Sequence, residues 1–161
     1  MKKNYFLLST IYFLLFTCIS YKGFSQDFIP KNFTESSIFV KADTNKLFGT
    51  LTMPLGVTKC PVVLIIAGSG HTDRDGNQPP TITGDTYKQM AEKFADKGIA
   101  TLRYDKRGVG ESVYYMEEVS LRFDNYINDA VLWMNELKKD KRFTKLIVAG
   151  HSEGSDRKSV V

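Results

Sequence analysis

Histidine and cysteine are scarce in this 161-residue sequence, with two of each. Two cysteines are too few for a disulfide scaffold or a four-cysteine zinc site. Five prolines and twelve glycines, with no internal repeat, exclude collagenous and low-complexity classes. A surplus of one charge is also missing. Three of the 22 basic residues (Lys2, Lys3 and Lys22) lie in the first 25 positions, which hold no acid, so beyond them 19 bases face 18 acids. That balance offers nothing to attract a nucleic acid or an anionic membrane. What is present is an ordinary globular composition, 42% hydrophobic and 25% charged, with room for one domain at most.

The two ends are read as something other than that domain. Lys2 and Lys3 precede an apolar run from Tyr5 to Ile19, and Gly23 and Ser25 place small residues three and one before a cut. This predicts a signal peptide over residues 1–25, cleavage before Gln26, and a secreted or periplasmic product with no membrane attachment after cleavage. The run is short of the roughly 20 residues needed to span a bilayer. Phe16 and Thr17 before Cys18 are poor neighbours for a lipidated cysteine. Removal of the signal leaves Cys60 as the one cysteine. At the other end, Asp156–Val161 has no period. Its reverse translation, gat-cgg-aag-agc-gtc-gtg, resembles a sequencing-adapter read, which predicts that residues 156–161 are a foreign tail and that the gene continues.

Between them, residues 26–155 read as the N-terminal part of a single α/β domain. Ile38–Val40 and Leu47–Met53 predict short strands, the second stopped by Pro54. Val62–Ala67 is a continuous β-branched and apolar run, the signature of a strand buried on both faces, and leads into Gly68-Ser69-Gly70. Asp85 is placed to cap a helix with Tyr87, Met90, Ala91, Phe94 and Ala95 on one face and Gly98 closing it. Ile99–Tyr104 is the next strand. Asp124 is placed to cap a second helix carrying Ile127, Ala130, Val131, Met134 and Leu137, before Lys145–Ala149 returns as a strand. Strands that alternate with helices predict a mostly parallel sheet covered by helices.

The last strand runs directly into Gly150-His151-Ser152-Glu153-Gly154, a G-x-S-x-G pentapeptide. A serine on a tight strand-to-helix turn sits in a strained backbone, and flanking glycines without Cβ relieve the crowding. The turn lifts Ser152 Oγ above the sheet as a candidate nucleophile. The Glu153 N–H is then the natural first donor to an oxyanion, and Gly68-Ser69-Gly70 is placed to give a second.

Four segments carry a resemblance: Gly49–Pro54, Ala67–Gly76, Arg103–Ser112 and Gly150–Gly154. In that order they resemble the α/β-hydrolase superfamily over about residues 47–155, with the nearest likeness to secreted carboxylesterases and serine aminopeptidase-like hydrolases. The resemblance implies Ser152 as nucleophile and the Ser69 N–H as second oxyanion donor. It implies a structural loop in which Asp105 binds turn amides and Arg107 pairs with carboxylates or carbonyls. Ala67 departs from the pattern, since many relatives carry there a histidine that braces the oxyanion loop. The family's base follows the nucleophile in the order Ser, acid, His. No histidine follows Ser152 here, His151 cannot fold back onto its neighbour's Oγ, and His71 reads as a loop residue. The chain as given is therefore expected to be inactive, and the full gene product to hydrolyse small-molecule carboxylic esters or thioesters without a cofactor.

Other readings fare worse. Asp73, Asp75 and Asn77 begin a calcium-loop spacing, but Gln78 and Gly84 stand where its Gly and Glu belong. Gly68-x-Gly70 as a dinucleotide loop meets Asp73 at the third glycine. A serine peptidase of the same fold, or a non-catalytic α/β-hydrolase-like binding protein, remains the alternative.

Overall fold

The computed structural model describes residues 31–114 and 120–161. The signal peptide read over residues 1–25 lies outside the described residues. A five-stranded sheet organises the rest: β1 (Phe33–Ala42), β2 (Asn45–Pro54), β3 (Cys60–Ile66), β4 (Ala100–Tyr104) and β5 (Phe143–Gly150), in the order β1-β2-β4-β3-β5. The first two strands are longer than their apolar residues indicated, because β1 and β2 form an antiparallel hairpin paired from Phe33–Pro54 to Ala42–Asn45. β2 also runs antiparallel to β4, while β4, β3 and β5 are mutually parallel. The sheet is thus mixed, with its parallel half carrying the chemistry.

Helix α1 (Thr86–Ala95) lies between β3 and β4, α2 (Phe123–Lys139) between β4 and β5, and α3 (Glu153–Lys158) follows β5. β3 is buried on both faces, as its unbroken apolar run required. Val62, Leu64 and Ile66 join Leu47, Leu51, Leu102, Tyr104, Trp133 and Leu137 in one core layer. Val63, Ile65 and Ala67 meet Tyr87 and the partly buried Phe94 in the other.

The helix caps differ from the sequence reading, and each helix face differs from it at one expected residue. Asp85 occupies the position before α1 but does not cap it: its backbone is left-handed at φ 49°, and its carboxylate accepts from Asn77 Nδ2 at 2.6 Å. α2 begins one residue before Asp124, which lies exposed in the first turn. Its N-cap residue is Arg122, whose N–H is taken by Asn125 Oδ1 at 2.8 Å. The buried stripe of α2 is Asp129, Ala130, Trp133 and Leu137, with Val131 exposed; on α1, Met90 is likewise exposed. Trp133 fits because Gly49 faces it: a Cβ there would lie 3.2 Å from Trp133 Cη2 and 3.0 Å from Arg103 O. Asp156–Lys158, given no period by the sequence, continue α3, where Arg157 is buried and pairs with Glu153 at 2.9 Å.

Candidate active site

Parallel pairing sets Ile66 of β3 opposite Gly150 of β5. The two loops that leave these strand ends, 67–72 and 150–154, therefore emerge side by side at the C-terminal edge of the sheet, where open α/β sheets place their ligands. At the second of them Ser152 has φ 52° and ψ −126°, a conformation an L-residue adopts only under constraint. The constraint is close packing. A Cβ on Gly150 would overlap the Gly154 carbonyl, and one on Gly154 would overlap the Ile66 carbonyl. A Cβ on Gly68 would lie 3.2 Å from both Ser152 Cβ and His151 O. Hydrogen bonds lock the turn: His151 N–H donates to Ile66 O at 3.1 Å, Gly154 N–H to His151 O at 2.8 Å, and Ser155 N–H to Ser152 O at 2.8 Å. No hydrogen bond joins the Ser69 or Glu153 N–H to another backbone group among the described residues.

A cleft of about 400 Å³ opens over Ser152, walled by Gly68, Ser69, Ile82, Tyr87, Met90 and His151. Tyr87, from α1, joins the two loops. Its hydroxyl lies 2.8 Å from His151 Nδ1 and accepts from Gly68 N–H at 3.4 Å. Burial raises its phenol pKa, with the Gly68 N–H acting the other way.

Beneath the glycine loop sits a lysine that the sequence reading passed over. Lys106 is buried, and its Nζ donates to Gly68 O and Gly70 O, each at 2.5 Å. Burial lowers its pKa to about 8, helped by the Arg157 charge and opposed by Glu153. Lys106 and Tyr87 thus both hold the backbone of the loop that follows Ala67. A lysine two residues after the end of the buried strand β4, between Asp105 and Arg107, was the available signal.

Asp105 and Arg107 flank Lys106 and face elsewhere. The buried Asp105 carboxylate accepts from Arg74 N–H at 2.7 Å, Arg74 Nε at 2.9 Å and Glu111 N–H at 3.0 Å. It lies so near Gly110 (φ 55°) that no Cβ would fit there. Arg107 grips Asp129 of α2 with Nη2 on Oδ1 at 2.6 Å and Nε on Oδ2 at 2.8 Å. These bonds to Asp129 hold the guanidinium pKa above its usual value against burial. Asp73 Oδ1 caps the amides of Asp75 and Asn77 at 2.9 and 2.8 Å, and Asp75 takes Arg103 Nε at 2.8 Å. The acidic residues after the glycine loop therefore fold that loop against β4. His71 lies exposed in the same loop and does not line the cleft.

A parallel β3–β5 pair that delivers a glycine loop and a strained serine turn to one cleft defines the α/β-hydrolase fold, and the chain has that fold. The family model described as serine aminopeptidase, S33, matches residues 83–156. Esterase EstD of Thermotoga maritima is 34% identical over 127 residues, which cover 78% of this chain and 28% of that protein. Est1E from Butyrivibrio proteoclasticus, in a structure with ferulic acid bound, superimposes with a TM-score of 0.62 at 26% identity, over 74% of this chain and 44% of that one. The esterase Pf2001 of Pyrococcus furiosus shares the fold at 20% identity and a TM-score of 0.58, over 78% of this chain and 44% of its own. The chain thus spans less than half the length of these relatives.

Proposed function

We propose that the complete gene product is a serine hydrolase that cleaves carboxylic esters, with thioesters as the neighbouring substrate class, through an acyl-enzyme on Ser152. The carrying observation is Ser152 itself, held at φ 52° on a turn whose glycines admit no side chain, beside the loop that begins at Gly68. Strain of this kind is retained where the surrounding structure over-determines it, and it clusters at reactive positions.

In this reading Ser152 Oγ attacks the acyl carbon while a base takes its proton. The carbonyl oxygen becomes an oxyanion that receives the Ser69 and Glu153 N–H groups, and collapse expels the alcohol, which recovers the proton. Water then repeats the sequence on the acyl-enzyme. Each oxyanion donor is worth about 10²–10³ in rate where one has been removed. The base is not His151, which adjoins Ser152 in the chain, cannot fold back onto its neighbour's Oγ, and has its ring turned to Tyr87 Oη at 2.8 Å. The family's order of Ser, acid, His puts the base and its acid after Ser152, and no histidine follows Ser152 in this sequence. The leader at residues 1–25 puts the reaction outside the cytoplasm. Esters of aromatic acids are rational first substrates, because the cleft is largely apolar and Est1E holds ferulic acid.

Labelling by a fluorophosphonate and hydrolysis of p-nitrophenyl and feruloyl esters test the reading. The complete protein should do both, and Ser152→Ala should abolish both. A complete, folded protein that carries a histidine after Ser152 and leaves Ser152 unlabelled would be a binding protein on a hydrolase fold.

A further inference from the structure

Lys106 lies outside the cleft yet touches the backbone that forms its wall. Its Nζ reaches Gly68 O and Gly70 O at 2.5 Å each from the buried side of the loop, whereas Ser69 and Gly70 are exposed on the other side. A trans peptide is planar, so the C=O of one residue and the N–H of the next point in opposite directions. Drawing the Gly68 carbonyl down onto Lys106 therefore turns the Ser69 N–H up, away from the lysine and out of the loop's exposed face. Pinning the Gly70 carbonyl does the same for the His71 N–H. Arg157 Nη1 on Ala67 O at 3.3 Å and Thr72 Oγ1 on Ser69 O at 3.1 Å also hold the loop, but neither bonds the Gly68 or Gly70 carbonyl. Gly68 and Gly70 carry no side chain, Gly70 sits at φ 70°, and Ala67 offers only a methyl group. Two peptide planes flanked by glycines rotate readily unless something grips them.

We propose that Lys106 is a positioning residue that sets the direction of the Ser69 N–H by holding the Gly68 and Gly70 carbonyls on the far face of the same peptide planes. The inference rests on the serine hydrolase reading for its catalytic consequence, but the peptide orientation stands independently of it. Tyr87 complements the grip by accepting the Gly68 N–H at 3.4 Å, so Gly68 is held through both its N–H and its carbonyl. Without Lys106, the buried Gly68 carbonyl and the part-buried Gly70 carbonyl would lose this donor, and peptide rotation toward water would relieve them.

The test replaces Lys106 by methionine, which keeps the length and apolar stem and removes the donors. In the complete protein, residual dipolar couplings report the direction of the Ser69 N–H vector, and ester hydrolysis reports its use. Lys106→Met should rotate or disorder that vector and lower kcat about 10- to 100-fold, within the range seen when one oxyanion donor is lost, with KM changed less than about twofold. A folded Lys106→Met protein with the vector unmoved overturns the proposal, as does a loss confined to KM. If Lys106→Met does not fold, Lys106→Gln, too short to reach both carbonyls, is judged by the same criteria. Should the unaltered protein show no Ser152-dependent hydrolysis, the hydrolase reading fails, and the vector measurement alone decides the role of Lys106.

Discussion

Tyr87 Oη and His151 Nδ1 lie 2.8 Å apart, so a helix 64 residues upstream holds the residue that precedes the candidate nucleophile. The same hydroxyl accepts the Gly68 N–H at 3.4 Å, so one phenol oxygen joins the glycine loop to the serine turn. Tyr87→Phe keeps the ring in its buried place and removes both bonds. It should cost about 1–3 kcal/mol, the penalty of leaving the buried Gly68 N–H unpaired. The urea midpoint should fall with the m-value unchanged, and an unshifted midpoint would show that the hydroxyl holds nothing.

The pair Arg107–Asp129 ties the loop after β4 to the buried face of α2, with both side chains almost fully buried. Arg107→Met leaves an uncompensated carboxylate in that face and should destabilise by about 3–5 kcal/mol. The double change Arg107→Met with Asp129→Leu should recover most of that loss, since two apolar groups replace two charges. Thermal melts of the two single variants and the double variant measure the coupling; simple additivity would contradict a direct pair.

Ser152 occupies φ 52° and ψ −126°, where a side chain is strained and a glycine is not. Ser152→Gly should therefore be more stable than Ser152→Ala by about 1–3 kcal/mol, although both remove the candidate nucleophile. Chemical denaturation of the two proteins side by side gives the difference directly. Equal stabilities would mean that the turn relaxes in solution.

Lys106 has its amine brought down to about 8 by burial, against an ordinary value of 10.5. Between those values the unfolded chain binds the proton and the folded chain does not. Stability from this group therefore rises with pH across that window, is fully present above the unfolded value, and is lost as pH falls through about 8. Urea midpoints of wild type and Lys106→Met at about pH 7.5 and about pH 10 isolate the effect, and the difference should shift in favour of the wild type at the higher pH. A constant difference would place the amine at its ordinary value.

The features legible in the sequence are those whose cause lies within a few residues. The unbroken run Val62–Ile66 could be buried on both faces only as an interior strand, and β3 is one. Gly150 and Gly154 around Ser152 announced a crowded turn, because steric exclusion by Cβ acts between near neighbours. Periodicity found both helices and most of their buried faces, missing at Met90 and Val131, which are exposed. It passed over Trp133, whose space is made by Gly49 on another strand, and Asp129, whose charge is acceptable in a buried stripe only because Arg107 reaches it.

Local sequence thus determined the element types, their order and the strained serine, since torsional preference, hydrophobic alternation and steric crowding are properties of short segments. Only the tertiary structure decided what surrounds that serine. The register of β3 on β5 brings the two loops together, Lys106 meets Gly68 across 38 residues of sequence, and Tyr87 meets His151 across 64. No local pattern encodes such contacts, because a buried donor and its carbonyl satisfy one another only after the chain has closed the long loops between them.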